Sequence, residues 1–268
     1  MVMWAFHSDL SYDGNPPANV RGITHTPRTY VVAGILTTTD KWKSIVDGWS
    51  ATNLEFGVPR FHAAHLNGRT YEYEGWTPRR ALSYSTQLLG VLNNYGPLMV
   101  FVSGLHADCF TQILSEGARR KLGSPYQLCF NSCMAKIASM MDECSFRTED
   151  RFSVLVDKDD GYEIVVKSFV DMKGNANFPN RVRLGTCAPA DMKEVIALQT
   201  GDLVAYEWFK WFNTRGRKAG EIRRILVPMV ERHIVIERYW DEKNLLLLRD
   251  RIESETAEDG QLIIVPPI

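Results

Sequence analysis

"QTGDLVAYEWFKWF", residues Gln199–Phe212, is the stretch on which the reading of this chain turns. At 3.6 residues per turn it is apolar on nearly every side, the mark of a helix packed inside a protein. Asp202 breaks that pattern. It shares a face with Leu198 four residues before it, Ala205 three after, Tyr206 four after and Phe209 seven after. An ionised carboxylate in such surroundings is costly unless it is paired, hydrogen-bonded or bound to a metal.

Two more acids stand at the ends of apolar runs. Asp9 closes a first strand that begins at Val2, and Asp157 closes "FSVLV". For any one of these acids, a partner Lys, Arg or backbone donor explains it as well as a functional role does. Three of them at element ends favour function. Oxygen ligands from two or three carboxylates suit Mg²⁺ or Mn²⁺. A pair of such ions can clamp the attacking and leaving oxygens of a phosphodiester.

The rest of the chain supplies the frame. "TYVVAGIL" (Thr29–Leu36) reads as a buried strand. A helix follows with Trp42, Ile45, Val46, Trp49 and Leu54 on its apolar face, Thr39 or Asp40 as N-cap and Gly57 as its stop. "VPRFHAAHLNGRTYEYEGW" reads as a polar-aromatic loop that could form a site. A second helix starts with Thr77 as N-cap and Pro78 at its first position. Pro97–Leu105 is a strand, and Ala107–Cys144 is helical with a break at Gly123–Pro125. Phe152–Asp157 is a strand, Tyr162–Gly174 a helix, "RVRLGT" a short strand and Leu198–Phe212 a helix. Charged helix is expected from there to "QLIIVPPI". Strands alternate with helices, so the expected class is α/β, a mixed central sheet flanked by helices. No linker stands out. Residues 1–218 are assigned to one domain and 219–268 to a helical C-terminal extension packed on it.

The 268 residues are 45% apolar and 24% charged, with a formal net charge of −1. That balance excludes a protein that binds nucleic acid through overall charge, so any such site must be a local patch. The five cysteines are odd in number and none forms a C-x-x-C pair, which favours reduced thiols in a cytoplasm. "MVMWAFHSDL" lacks a basic leading region and meets Asp9 early, so no signal peptide is expected. No apolar run is long enough for a membrane span.

Several of these segments together resemble the domain of unknown function 3800 family of bacterial, phage and mobile-element proteins. "FHSDLS" is similar to the family's first-strand motif, with Asp9 as its acid and Ser11 as its serine. "TYVVAGILTTTDKWKSIVDGW" is similar to the next strand and its tryptophan-bearing helix. "FGVPRFHAAHL" with "YEYEGW" is similar to a Phe-His motif ahead of Gly-Trp, and "VLVDKDDG" to a strand ending in an acid. "KEVIALQTGDLVAYE" is the most specific piece. The resemblance spans about residues 3 to 212. Leu10 stands where the family has a second acid, Asp157 where Glu is common, and Gly201 where Ala is. Asp13, or Asp159 and Asp160, are candidate replacements for the missing acid.

The resemblance implies an RNase H-like fold and a metal-dependent nuclease linked to phage or mobile-element biology. On that reading Asp9, Asp157 and Asp202 hold Mg²⁺ or Mn²⁺. His62 serves as an acid–base or phosphate-contacting group. Ser11 and Gln199 contact substrate, and Lys193 neutralises a phosphate or leaving oxygen. Nucleic acid is the expected partner, with Arg215 and Arg217 in "TRGRKAGEIRR" as its basic contacts beside Trp208 and Trp211.

Other readings stay open. His62 and His65 have i,i+3 spacing, but no third zinc ligand follows and the Glu of H-E-x-x-H is absent. "VLVDKDDG" and "TGDLVAYE" with Lys193 also resemble the acid motifs of haloacid-dehalogenase-type phosphatases, in an unusual order and context. A catalytically silent binding module of the same fold is the third reading. An actin-like nucleotide-binding domain lacks its Gly-rich phosphate loop here.

Overall fold

A computed structural model describes residues 2–3, 5–8, 29–95, 99–144, 146–158, 161–215 and 226–254. Among these residues the sheet has seven strands: β1 (Val2–Met3), β2 (Ala5–Ser8), β3 (Thr29–Thr38), β4 (Met99–His106), β5 (Phe152–Asp157), β6 (Leu184–Ala190) and β7 (Ile234–Trp240). β1 and β2 are separated by one residue, and both pair with β3 on one side and β5 on the other, so together they act as one interrupted strand. Across the sheet the order is β7, β4, β3, β2, β5, β6. β3 runs antiparallel to both β2 and β4. The β2–β5, β5–β6 and β4–β7 pairings are all parallel. The architecture is therefore mixed α/β, as the alternation of strands and helices predicts.

The central strands are apolar on both faces because both faces are covered. Val31, Ala33 and Ile35 of β3 point into one core, while Val32 and Leu36 point into the other. The first core is built by α1 (Thr39–Phe56), α2 (Ala63–Gly68), α3 (Pro78–Tyr95), α8 (Ile196–Arg215) and α9 (Val227–Arg232). The second is built by α4 (Ala107–Ile113), α5 (Glu116–Leu122), α6 (Pro125–Glu143), α7 (Tyr162–Gly174) and α10 (Glu242–Ser254). Helix α8 lies across β2, β3 and β4. It comes close because β4 has Gly104 under it. A Cβ at that position would stand 2.5 Å from the Phe212 ring and 3.0 Å from the Tyr30 carbonyl oxygen.

Most elements fall where their patterns place them. α7 has the expected bounds, and Gly57 ends α1 in the left-handed conformation, with its N–H on the Asn53 and Leu54 carbonyls. Thr77 caps α3 by accepting from the Arg80 N–H at 3.2 Å.

Four expectations need correction. α1 begins at Thr39, earlier than its proposed caps Thr39 and Asp40 imply, with Thr38 in the cap position and no side-chain cap bond. Leu54 is 82% exposed, and the buried end of α1 is polar, formed by Thr52 and Asn53. The "VPRFHAAHLNGRTYEYEGW" segment is ordered into α2 and a short 3-10 turn, Tyr71–Tyr73. The C-terminal region is not wholly helical: "IVIERYW" forms β7, which extends the sheet beside β4. Its charges sit on a strand that alternates faces, so Glu237 lies on the α8 side while Arg238 lies over Trp240 on the other.

Candidate functional site

The site is organised by two residues one turn apart on α8. Gln199 and Asp202 are each 1% exposed, and both face the strand-like segment that precedes α2. The Gln199 side-chain oxygen accepts from the Phe61 backbone N–H at 3.0 Å, from Trp49 Nε1 at 3.1 Å and from Asn53 Nδ2 at 3.4 Å. Its amide nitrogen donates to the Met192 carbonyl at 3.0 Å. Asp202 Oδ2 accepts from the Ala63 backbone N–H at 2.7 Å. The i,i+3 pair thus grips alternate N–H groups, those of residues 61 and 63, and leaves His62 between them. A buried donor left without an acceptor costs about 1–3 kcal/mol, so this pairing accounts for why Gln and Asp are tolerated on an apolar helix.

His62 carries that geometry outward. Its Nδ1 is 3.7 Å from Asp202 Oδ2, and its side chain is 21% exposed. Its ring stacks on His65 with centroids 3.8 Å apart and planes 14° from parallel. His65 Nδ1 lies 3.4 Å from Glu72 Oε2, and Arg60 reaches the other Glu72 oxygen at 3.4 Å. Two stacked imidazoles are thus bracketed by two carboxylates, one deep and one near the surface. Burial pushes the Glu72 carboxyl up, but a backbone hydrogen bond together with His65 and Arg60 outweighs it and holds the group below its ordinary value. Tyr73 closes the base of the cluster: its hydroxyl donates to the Arg60 carbonyl at 3.0 Å and accepts from the His62 N–H at 3.2 Å. Burial pushes the Tyr73 and Tyr84 phenols well above their ordinary range, so both stay protonated.

Asp157 ends β5, as expected. Its Oδ1 accepts from the Met192 N–H at 3.2 Å. Since the Met192 carbonyl is held by Gln199, a single residue links the end of β5 to α8. The register of β5 with β2 places Val156 opposite Phe6, so these two strands end side by side.

Asp9, Ser11 and Arg217 lie outside the described residues, as do Asp13, Asp159 and Asp160. Arg215 ends α8, with its side chain outside them as well. Lys193 is exposed in the turn before α8, where its backbone N–H donates to Asp191 Oδ1 at 2.8 Å. Gln199, expected to contact substrate, instead has protein partners at both ends of its amide. We assign it to the frame. Its partners Trp49, Asn53 and Phe61, and the His65–Glu72 pair, were not expected from sequence. Separations of 138 to 150 residues between Gln199 and those three partners leave no local pattern to find them by.

Asp157 and Asp202 are hard oxygen donors of the kind Mg²⁺ takes. Among the described residues no three His, Cys, Asp or Glu side chains group closely enough to share an ion, and the third expected carboxylate, Asp9, is not one of them. All five cysteines are free thiols, and burial pushes Cys129 and Cys187 up to about 12, which makes them poor ligands or nucleophiles. Among the described residues no helix is long and apolar enough to cross a membrane. Comparison with protein-family models, with curated proteins and with solved structures gives no significant match.

Proposed function

We propose that this chain is a divalent-metal-dependent hydrolase of phosphodiester bonds with an RNase H-like fold, and that its partner is nucleic acid. The observation that carries the reading is the placement of its acids on its sheet. A three-strand antiparallel meander (β2, β3, β4) is extended past β2 by two parallel strands (β5, β6), the arrangement expected of an RNase H-like sheet. Asp157 ends β5 beside the end of β2, and Asp202 is presented by the helix that crosses β2.

On this reading Asp157 and Asp202, with Asp9, hold Mg²⁺ or Mn²⁺. A bound ion supplies Lewis acidity and lowers the pKa of water. The chain's own residues do the positioning. Gln199 and Asp202 fix the backbone of residues 61–63, which sets His62 at the boundary between the buried carboxylate and solvent. There the imidazole is suited to exchange a proton with a leaving oxygen or to contact a phosphate. Lys193, exposed beside Met192, is suited to neutralise phosphate charge.

The test is cleavage of labelled DNA, RNA and hybrid duplexes in Mg²⁺ or Mn²⁺, with calorimetric titration of Mn²⁺ alongside. Asp157→Asn and Asp202→Asn are each expected to lower the rate at least ~100-fold, a loss typical of removing transition-state charge stabilisation. Cleavage at the wild-type rate in both variants would sink the proposal. A second reading, a silent binding module, is favoured by one observation: Asp202 already satisfies a buried backbone N–H. That reading expects no Mn²⁺ binding and unchanged nucleic-acid affinity in both variants.

A further inference from the structure

On the opposite side of the sheet from Asp202, a cavity of about 310 Å³ opens between β4, β7 and α6. Its volume is at the small end of ligand sites, which suits a metabolite rather than a polymer. Arg238 of β7 and Ser103 of β4 are direct cross-strand neighbours and both line it. Ser132, Cys133 and Lys136 face them from α6.

The charge arrangement in this cavity is unusual. The Arg238 guanidinium is partly buried, lies 4.2 Å over the Trp240 ring and has no carboxylate within ion-pair distance among the described residues. Stacking satisfies the face of the guanidinium and leaves its rim of N–H donors available. Burial lowers its pKa, and the Cys133 thiol partly offsets this. The Cys133 thiol is itself pushed well above its ordinary value by burial, so it is not a thiolate counter-charge. The two acids nearest in the lining are occupied elsewhere. Glu237 accepts from Trp208 Nε1 at 3.4 Å on the far face, and Asp241 accepts from the Asn244 N–H at 2.9 Å as the cap of α10. Lys136 adds a second cation, 3.5 Å from Glu143. Ser103 is 1% exposed, and among the described residues its hydroxyl meets only the Cys129 thiol, outside ordinary hydrogen-bond geometry.

A cation taken out of water without an anion is costly, and a planar fork of donors matches an oxyanion of equal shape. We infer that this cavity binds a small organic oxyanion, a phosphate monoester or carboxylate, with Arg238 as its charge partner and Ser103 and Lys136 as supporting donors. The site is independent of the hydrolytic reading, because it lies on the other face of the sheet and shares no residue with it.

The experiment uses inorganic phosphate and acetate as separate probes. The thermal midpoint of the full chain is followed against each anion, with sodium chloride at equal ionic strength as reference, since phosphate stabilises most proteins weakly by exclusion. A saturable rise with either probe is expected, and which probe gives it tells phosphate from carboxylate. Arg238→Met keeps the stem over Trp240 and is expected to weaken binding at least ~10-fold, as loss of a charge-assisted pair does. Ser103→Ala is the milder variant should Arg238→Met fail to fold, with an expected loss of ~3-fold or more. No saturable rise with either anion, or an equal rise in the variants, would overturn the inference.

Discussion

The two faces of the sheet are stabilised by different means. The face under α6 and α7 is filled by volume: Phe130, Met134, Ile137, Met141 and Phe169 are all within 1% of full burial. The face under α1, α3 and α8 is aromatic and threaded by a polar network, from Tyr84 through Asn53 and Gln199 to Met192 and Asp157. Volume gives stability that tolerates some repacking. A fully paired buried network gives less net energy but permits only one arrangement, which is what a site needs.

That contrast can be broken by mutation. Phe130→Ala on the volume-filled face is expected to cost about 3–5 kcal/mol, with no change in any site function, by urea unfolding. Gln199→Leu is nearly the same size but strands three donors, so a loss of about 2–4 kcal/mol is expected, together with loss of order in residues 61–63 by amide exchange. If that segment stays protected, the network is not what holds it. Asp202→Asn keeps an acceptor for the Ala63 N–H and is expected to cost only about 1 kcal/mol, so any large effect on activity belongs to its charge.

The smallest effect concerns pH. The Glu72 carboxyl sits below its ordinary value, so it binds protons more weakly in the folded protein than in the unfolded chain. Its contribution is fully present above the ordinary glutamate range and is lost as pH falls through its lower, folded value. Glu72→Gln should therefore flatten the fall of stability in that acidic window and leave the profile between pH 7 and 8 unchanged. A profile that is the same in both proteins below pH 5 would remove Glu72 from the account.

Local pattern carried much of the fold. The periodicity of "YEIVVKSFVDMKG" and the β-branched run at residues 29–36 predict α7 and β3, because each buries a regular face. β7 escaped because a parallel edge strand is only half covered, so the adjacent pair Glu237 and Arg238 interrupts its apolar run in a way that also suits a charged helix. Asp157 and Asp202 were legible as acids out of place. Whether Asp9 joins them falls outside the described residues. The role of Gln199 was not legible, since a buried amide's partners are set by tertiary packing and not by spacing. Leu54 shows a period misread: five residues past Trp49, it lies about 140° round the helix from it, while Asn53, four past, turns inward to serve that same amide.

The interrupted strand β1/β2 imposes an order of events on the growing chain. Residues 5–8 form the middle of the sheet, yet one of their edges is completed only by residues 152–157. Some 145 residues must be made before that edge closes, and pairings of such long range are slow to form. Until then, an apolar segment at the ribosome exit has hydrogen bonds open along one side, the condition that recruits chaperones or invites a neighbouring nascent chain. Synthesis rate between residues 38 and 152 should therefore govern the yield of folded protein more than synthesis rate after residue 190.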